Sequence, residues 1–193
     1  MHLKDKIRLG FALCGSFCTF DQAFAEMEAL TADYEITPIF SFNASSMDTR
    51  FGPAGEFVRH AEEICGRKAI LTIQDAEPVG PQKLFDIVLV EPCTGNTLAK
   101  LAGAVTDTPV TMAVKAHLRN SRPAVLAVST NDALSGSAVN IGRLLNARNV
   151  YFVPMRQDNP EKKPRSMVAD FTKTAAALEK ALSGEQVQPI LTG

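Results

Sequence analysis

Ile7-Arg8-Leu9-Gly10-Phe11-Ala12-Leu13-Cys14-Gly15-Ser16 is the stretch that decides the fold. Residues 7–13 are a nearly continuous apolar run that ends in Cys14-Gly15-Ser16, the pattern of a strand buried on both faces and closed by a tight turn. Directly after it, Thr19-Phe20-Asp21-Gln22 has capping-box spacing, and Phe24, Met27 and Leu30 fall on one helical stripe. Working outward, the same rhythm predicts strands over 36–40, 69–73, 84–90, 124–128 and 150–154. Helices are predicted over 55–65, 96–103 and 134–146, with a closing helix carried by Met167, Phe171, Ala175, Leu178 and Leu182. Asp107-Thr108-Pro109 opens a further helix, a cap followed by an early proline, with Arg119 and Asn120 at its basic end. The strand over 84–90 should stop at Glu91-Pro92, because proline cannot donate to a ladder. Residues 156–165 are predicted to form a polar, proline-containing loop, and the tail from about residue 184 to fray. Strands alternating with helices imply a single α/β domain over 1–193, its mostly parallel sheet covered by helices on both faces.

In such sheets ligands bind outside the carboxyl ends of the strands, at a switch in strand order. That rule nominates residues 14–16, 41–46, 91–97 and 129–132, all rich in small polar side chains. Gly10-x4-Gly15-Ser16 has part of a P-loop's spacing, but Phe17 stands where the lysine must be, which disfavours a triphosphate. A glycine followed by the Ser16 and Thr19 hydroxyls at a helix start suits a single phosphate monoester, or is simply a tight turn. Glu91-Pro92-Cys93-Thr94-Gly95-Asn96-Thr97 is the most informative segment. It can present amide groups to a flat heterocycle, or serve as a well-capped strand-to-helix turn. Ser129-Thr130-Asn131-Asp132 repeats the pattern, its last two residues fit for a ligand or for an N-cap. Cys93 is a nucleophile candidate without a histidine nearby in sequence, and reads equally as a packed thiol. Glu91 is either an acid/base group with a raised pKa or a partner of the helix dipole at Asn96.

Composition sets the outer bounds. The 193 residues carry 20 Lys plus Arg against 21 Asp plus Glu, a net charge of -1 that disfavours a broad nucleic-acid footprint. At 46% hydrophobic and 21% charged residues, disordered and coiled-coil classes do not fit. Cys14, Cys18, Cys65 and Cys93 lack CxxC spacing and read as reduced thiols. His2, His60 and His117 lie far apart in sequence, so no zinc site is expected, and His60 reads as a helix-surface residue. The opening residues show no signal-peptide layout, and no apolar run approaches the roughly 20 residues of a membrane span. The expected location is cytoplasmic.

At Pro92-Cys93-Thr94-Gly95-Asn96-Thr97, followed by 98–102, the chain resembles the flavoprotein superfamily of homo-oligomeric flavin-containing cysteine decarboxylases, whose signature loop reads Pro-Ala-Ser-Ala-Asn-Thr. Residues 10–20, 91–102, 108–132 and 151–170 carry the resemblance over essentially the whole chain. They are closer still to the branch that supplies one of the two subunits, the B subunit, of an oxidoreductase making dipicolinic acid in sporulating bacteria. The resemblance implies a three-layer flavodoxin/Rossmann-like fold and a bound FMN. Its phosphate would lie on Gly15, Ser16 and Ser41 or Ser45, and its ring against Pro92, Cys93, Thr94, Gly95, Asn96 and Thr97. Ser129, Thr130 and Asn131 occupy the place of a second family loop, Pro-x-Met-Asn, of which only Asn131 is kept. The decarboxylases carry a catalytic histidine where this chain has Pro78-Val79-Gly80-Pro81, so cysteine decarboxylation is expected to be absent.

The same resemblance implies an NAD(P)-dependent A subunit as partner, and a cyclic dihydrodipicolinate precursor oxidised to dipicolinate in the mother cell. It further implies a trimer-based homo-oligomer and no nucleic acid or membrane partner. A small dicarboxylate needs cations, and Lys115, Arg119 and Arg156 are candidates on charge alone, as is the 162–165 loop. Rival readings are a non-catalytic partner subunit with a vestigial flavin pocket, and a stand-alone FMN enzyme of the decarboxylase or prenyl-transfer type. Metal ligands are not expected.

Overall fold

Residues 7–13 form β1 (Ile7–Leu13), and its central position follows from its burial. The computed structural model describes residues 6–193; the opening residues, including His2, lie outside the described residues, and so does the expectation placed on them. β1 lies between β2 (Tyr34–Phe40) and β3 (Ile87–Cys93), and β4 (Ala124–Thr130) follows β3, all four parallel in the order β2-β1-β3-β4. The far edge of β4 is divided between two partners. β5 (Val150–Phe152) pairs in parallel with its first half, while Ser129 and Thr130 pair antiparallel with β7 (Lys163–Ala169), and β6 (Met155–Asn159) closes the sheet as a hairpin partner.

Helices cover both faces, which is why the inner strands carry apolar residues at successive positions. Leu9, Phe11, Leu13, Leu89 and Val125 point toward α1 (Phe20–Leu30), α3 (Ala54–Cys65) and α8 (Thr174–Leu182). Ala12, Val88, Val90, Leu126 and Val128 point the other way, toward α4 (Ile73–Ala76), α5 (Gly95–Ala102), α6 (Pro109–Leu118) and α7 (Ala138–Leu145). A short α2 (Phe42–Ser46) follows β2. α6 starts as its sequence predicts, with Thr108 and Thr111 forming a reciprocal capping box and Pro109 in the first turn. Thr19 does not cap α1. Its hydroxyl instead donates to the Ser16 carbonyl at 2.8 Å and tightens the turn.

Several elements differ from expectation, each for a physical reason. β3 does not stop at Glu91-Pro92 but runs on to Cys93; its register with β4 shifts between Val90 and Cys93, so Pro92 sits where no ladder N–H is required. Residues 69–73 form no strand, only a bridge between Ile39 and Ile70, before Thr72 caps α4. The loop predicted over 156–165 is the β6–β7 hairpin, polar because much of it lies exposed at the sheet edge. β7 therefore takes Met167, and the closing helix starts only at Thr174. α7 begins at Ala138 because residues 132–137 turn about Asp132, whose carbonyl accepts the amides of Ser135 and Ser137. The tail does not fray: Gln186 pairs with the Phe152 backbone in both directions, and Met155 exchanges hydrogen bonds with Ile190 and Thr192.

Candidate functional site

β4 ends between two different neighbours, β3 and the β6–β7 hairpin, and the strand order switches there from parallel to antiparallel. At that point an open pocket of about 920 Å³ is walled by the turn after β1, the first half of α1, the end of β4 and the hairpin. The size falls within the usual range of cofactor and ligand sites. Ser16 Oγ and Ser129 Oγ lie 2.8 Å apart in the wall, joining the turn after β1 to the end of β4. Among the described residues the amides of Gly15, Phe17 and Cys18 donate to no backbone carbonyl, whereas those of Ser16 and Thr19 do. Unpaired amides beside serine hydroxyls are the groups an anion such as a phosphate monoester needs.

The hairpin brings the charges. Arg156, Asp158 and Lys163 line the pocket, but Lys163 is tied to Asp158 at 2.7 Å and is largely neutralised. Among the described residues Arg156 has no carboxylate within ion-pair distance, so it is the cation the pocket keeps free for a ligand. Ser166 is buried in the wall and donates to Asn131 Oδ1 at 3.4 Å, which leaves the Asn131 amide N–H groups directed elsewhere. On α1, Gln22, Ala25 and Glu26 form the pocket's other side. Burial raises the Glu26 carboxyl above its ordinary value, partly offset by a hydrogen bond from the Ala175 amide.

The residues singled out from sequence divide into groups. Gly15, Ser16, Thr94, Ser129, Thr130 and Asn131 meet in this pocket, with Arg156. Gly95 and Asn96 line an adjoining cleft of about 480 Å³ whose wall shares Thr94 and Thr130 with the pocket. Gly95 is required there by packing, since a Cβ would stand 2.7 Å from both Ser137 Oγ and Thr130 Oγ1. Those two hydroxyls donate to Asp132 Oδ1 at 2.9 and 2.7 Å, and that holds the Asp132 carboxyl below its usual range. Asp132 thus serves the turn, while Asn131 stays exposed.

Other residues singled out from sequence lie outside the lining of this pocket. Pro92, Cys93 and Thr97 face the interior instead of the pocket: Pro92 accepts the Cys14 amide, Cys93 is fully buried, and Thr97 donates to Cys14 Sγ at 3.2 Å. Burial pushes the Cys93 thiol well up and that of Cys14 to about 11, so neither is a thiolate nucleophile at neutral pH. Ser41 caps α2 by accepting the Ala44 amide, and Ser45 donates to the Phe42 carbonyl; neither lines the pocket. Lys115 and Arg119 lie on α6 along a different, apolar cleft. Glu91 is fully buried behind the wall, accepting a 2.6 Å bond from Thr174 Oγ1 while its Oε1 has no partner. Desolvation raises its pKa well above the ordinary carboxylate value. Val79 and Gly80 lie outside the pocket's lining, Gly80 packing against Ala116 of α6. The wall residues not singled out for a site from sequence are Cys18, those on α1 and the hairpin, and Asp170, Phe171 and Thr172 just after β7. Gln22, Ala25 and Glu26 are spaced i, i+3, i+4, opposite the Phe24 and Met27 stripe, and that spacing was a readable signal.

Comparison with known proteins fits this geometry. The family model described as Flavoprotein matches residues 2–181. The B subunit of dipicolinate synthase from Bacillus subtilis (strain 168) is 47% identical over 190 residues, which covers 98% of this chain and 94% of that one. The crystal structure of the B subunit of dipicolinate synthase from Bacillus halodurans C superposes with a TM-score of 0.89 at 39% identity, over 97% of this chain and 96% of that one. Burkholderia xenovorans DmrB in complex with FMN, described as a cubic protein cage for redox transfer, shares the fold at 19% identity and a TM-score of 0.68, over 93% and 97% of the two chains. The chain belongs to the Flavoprotein family, within it to the group of the dipicolinate synthase B subunits.

Proposed function

We propose that this chain is the B subunit of a two-chain oxidoreductase, working with an NAD(P)-dependent A subunit to oxidise a cyclic dihydrodipicolinate precursor to dipicolinate in the cytoplasm of a sporulating mother cell. The observation that carries the site assignment is the pocket wall at Gly15, Ser16 and Ser129, where amides that are unpaired among the described residues and two hydroxyls share a lining with Arg156. This donor set fits a flavin mononucleotide held by its phosphate, with Gly15, Ser16, Phe17 and Cys18 donating from the turn. FMN, when bound, supplies a two-electron acceptor to the site. Arg156 then offers a substrate carboxylate a forked donor, and Asn131, turned by Ser166, offers a second polar contact. The name of the relatives' subunit supports a partner chain, and no dinucleotide fingerprint lies in this sequence, so the pyridine nucleotide belongs on that partner. Assembly into trimer-based homo-oligomers is part of the same proposal.

The interior placement of Pro92, Cys93 and Thr97 favours a second reading, in which the pocket binds only substrate and the chain positions its partner. The two separate in one experiment. The two purified proteins, this chain and its NAD(P)-dependent partner, are mixed with precursor and NAD(P), with and without FMN, and dipicolinate is quantified. Turnover that needs both chains and FMN, and that falls with Arg156→Glu, supports the flavin-bearing reading. Turnover indifferent to FMN supports the second reading, and turnover by either protein on its own contradicts both.

A further inference from the structure

Lys115 and Arg119 do not reach the pocket, and the place they do occupy has the makings of a second site. α5 packs against both α6 and α7, and beneath them a slot of about 360 Å³ opens over the first residues of β4 and β5. Its floor is apolar and reaches the core: Leu101, Val114, Leu118, Leu126, Leu144 and Val150 line it, and Leu126 and Val114 are only 1% and 2% exposed. Its mouth is cationic. Lys115 on α6 and Arg119, the residue that caps its C-terminus, stand one turn apart, and Arg148 lines the same slot from the chain just before β5; all three are exposed. Among the described residues none of the three has a carboxylate within ion-pair distance. Ala124 begins β4 on the slot's floor and Thr130 ends it in the main pocket's wall, so the two sites lie on opposite ends of a strand about 20 Å long at 3.3 Å per residue.

We propose that the slot is a binding site for a small amphiphilic carboxylate, its apolar body on the Leu126 and Leu144 floor and its carboxylate among Lys115, Arg119 and Arg148. Burying hydrocarbon drives entry, at about 0.8 kcal/mol per CH₂ removed from water. The three unpaired cations select the sign of the head group. The slot's small volume suits a medium-chain acid better than a folded segment of another protein, which needs a broader groove. The site is independent of the flavin reading.

The test is calorimetric titration of the intact chain with octanoate, with octanol as the uncharged control. Octanoate is expected to bind one site per chain and more tightly than octanol. The double variant Lys115→Glu, Arg119→Glu should weaken octanoate at least about tenfold while leaving octanol within about twofold. Ala147→Trp, which fills the slot from the α7 side, should abolish both, with its melting temperature recorded to show that the fold survives. Absence of octanoate binding overturns the proposal, as does octanoate binding that survives both variants. Charge reversal that changes only the oligomeric state on gel filtration, without octanoate binding, assigns the slot to a protein contact and overturns it equally.

Discussion

Glu91→Gln isolates the most unusual group in the sheet. The native carboxyl is fully buried, holds one hydrogen bond from Thr174 at 2.6 Å, leaves Oε1 unpartnered and feels the charge of Glu26. Its folded pKa is therefore raised well above the unfolded one, chiefly by desolvation. The sign follows from linkage. Above the ordinary carboxylate pKa the unfolded chain has lost this proton while the native chain keeps it, so stability falls as pH rises, by about 1.4 kcal/mol per pH unit until the native acid ionises. With a urea dependence of about 2 kcal/mol per molar, the midpoint of the wild type drops about 0.7 M per unit. Glutamine keeps the acceptor for Thr174 and titrates nowhere, so this slope disappears, although its amide N–H groups at the orphaned position cost about 1 kcal/mol at every pH. The assay is equilibrium urea unfolding of both proteins from about pH 5 to about pH 8, read as the difference in midpoint. His117 does not confound it, because its folded pKa is lowered to about 4 in both chains and its effect cancels in the difference. A difference that grows toward alkaline pH in favour of Gln is expected. Midpoints that stay a constant distance apart would refute the desolvation argument.

His117 gives the opposite pH dependence. Its ring is buried, Nε2 lies 3.0 Å from the Pro123 carbonyl and Nδ1 has no partner, and desolvation lowers the pKa from 6.5 to about 4. Stability should therefore rise with pH between those values, by about 3 kcal/mol in all, and a His117→Gln variant should lack that rise in the same urea assay. Gly95→Ala forces a Cβ to 2.7 Å from Ser137 Oγ and Thr130 Oγ1, and should cost about 1–3 kcal/mol by thermal unfolding while loosening the Asp132 turn. Ser166→Ala frees the Asn131 amide to turn over and should raise the KM for the precursor more than it lowers kcat.

The inner sheet was legible because buried parallel strands are written as apolar runs, and β1 into Cys14-Gly15-Ser16 is such a run. The β6–β7 hairpin was not, because strands at an edge that face solvent carry Arg156, Asp158, Lys163 and Arg165, and polarity of that kind reads as a loop. Pro92 misled for the reverse reason: the strand tolerates it at the register shift, a feature of pairing that no single strand records. Half of the candidate site was visible as loops after strands. The rest depends on contacts across the sheet, such as Ser16 with Ser129, separated by 113 residues, and on the hairpin that supplies Arg156. Lys115 and Arg119 could not be excluded from the pocket by charge alone, since their position is set by the direction of α6.

The most direct measurement is the visible absorption spectrum of the purified chain, taken alone and again after mixing with FMN and removing the excess. The proposed function requires a yellow protein holding FMN stoichiometrically. Ser16→Ala and Ser129→Ala should each weaken that binding, roughly tenfold for the serine whose single proton goes to the charged phosphate and less for the one that donates to its partner serine. A protein that stays colourless and returns all the FMN, while still supporting dipicolinate formation by its partner, would contradict the assignment of this pocket to a flavin.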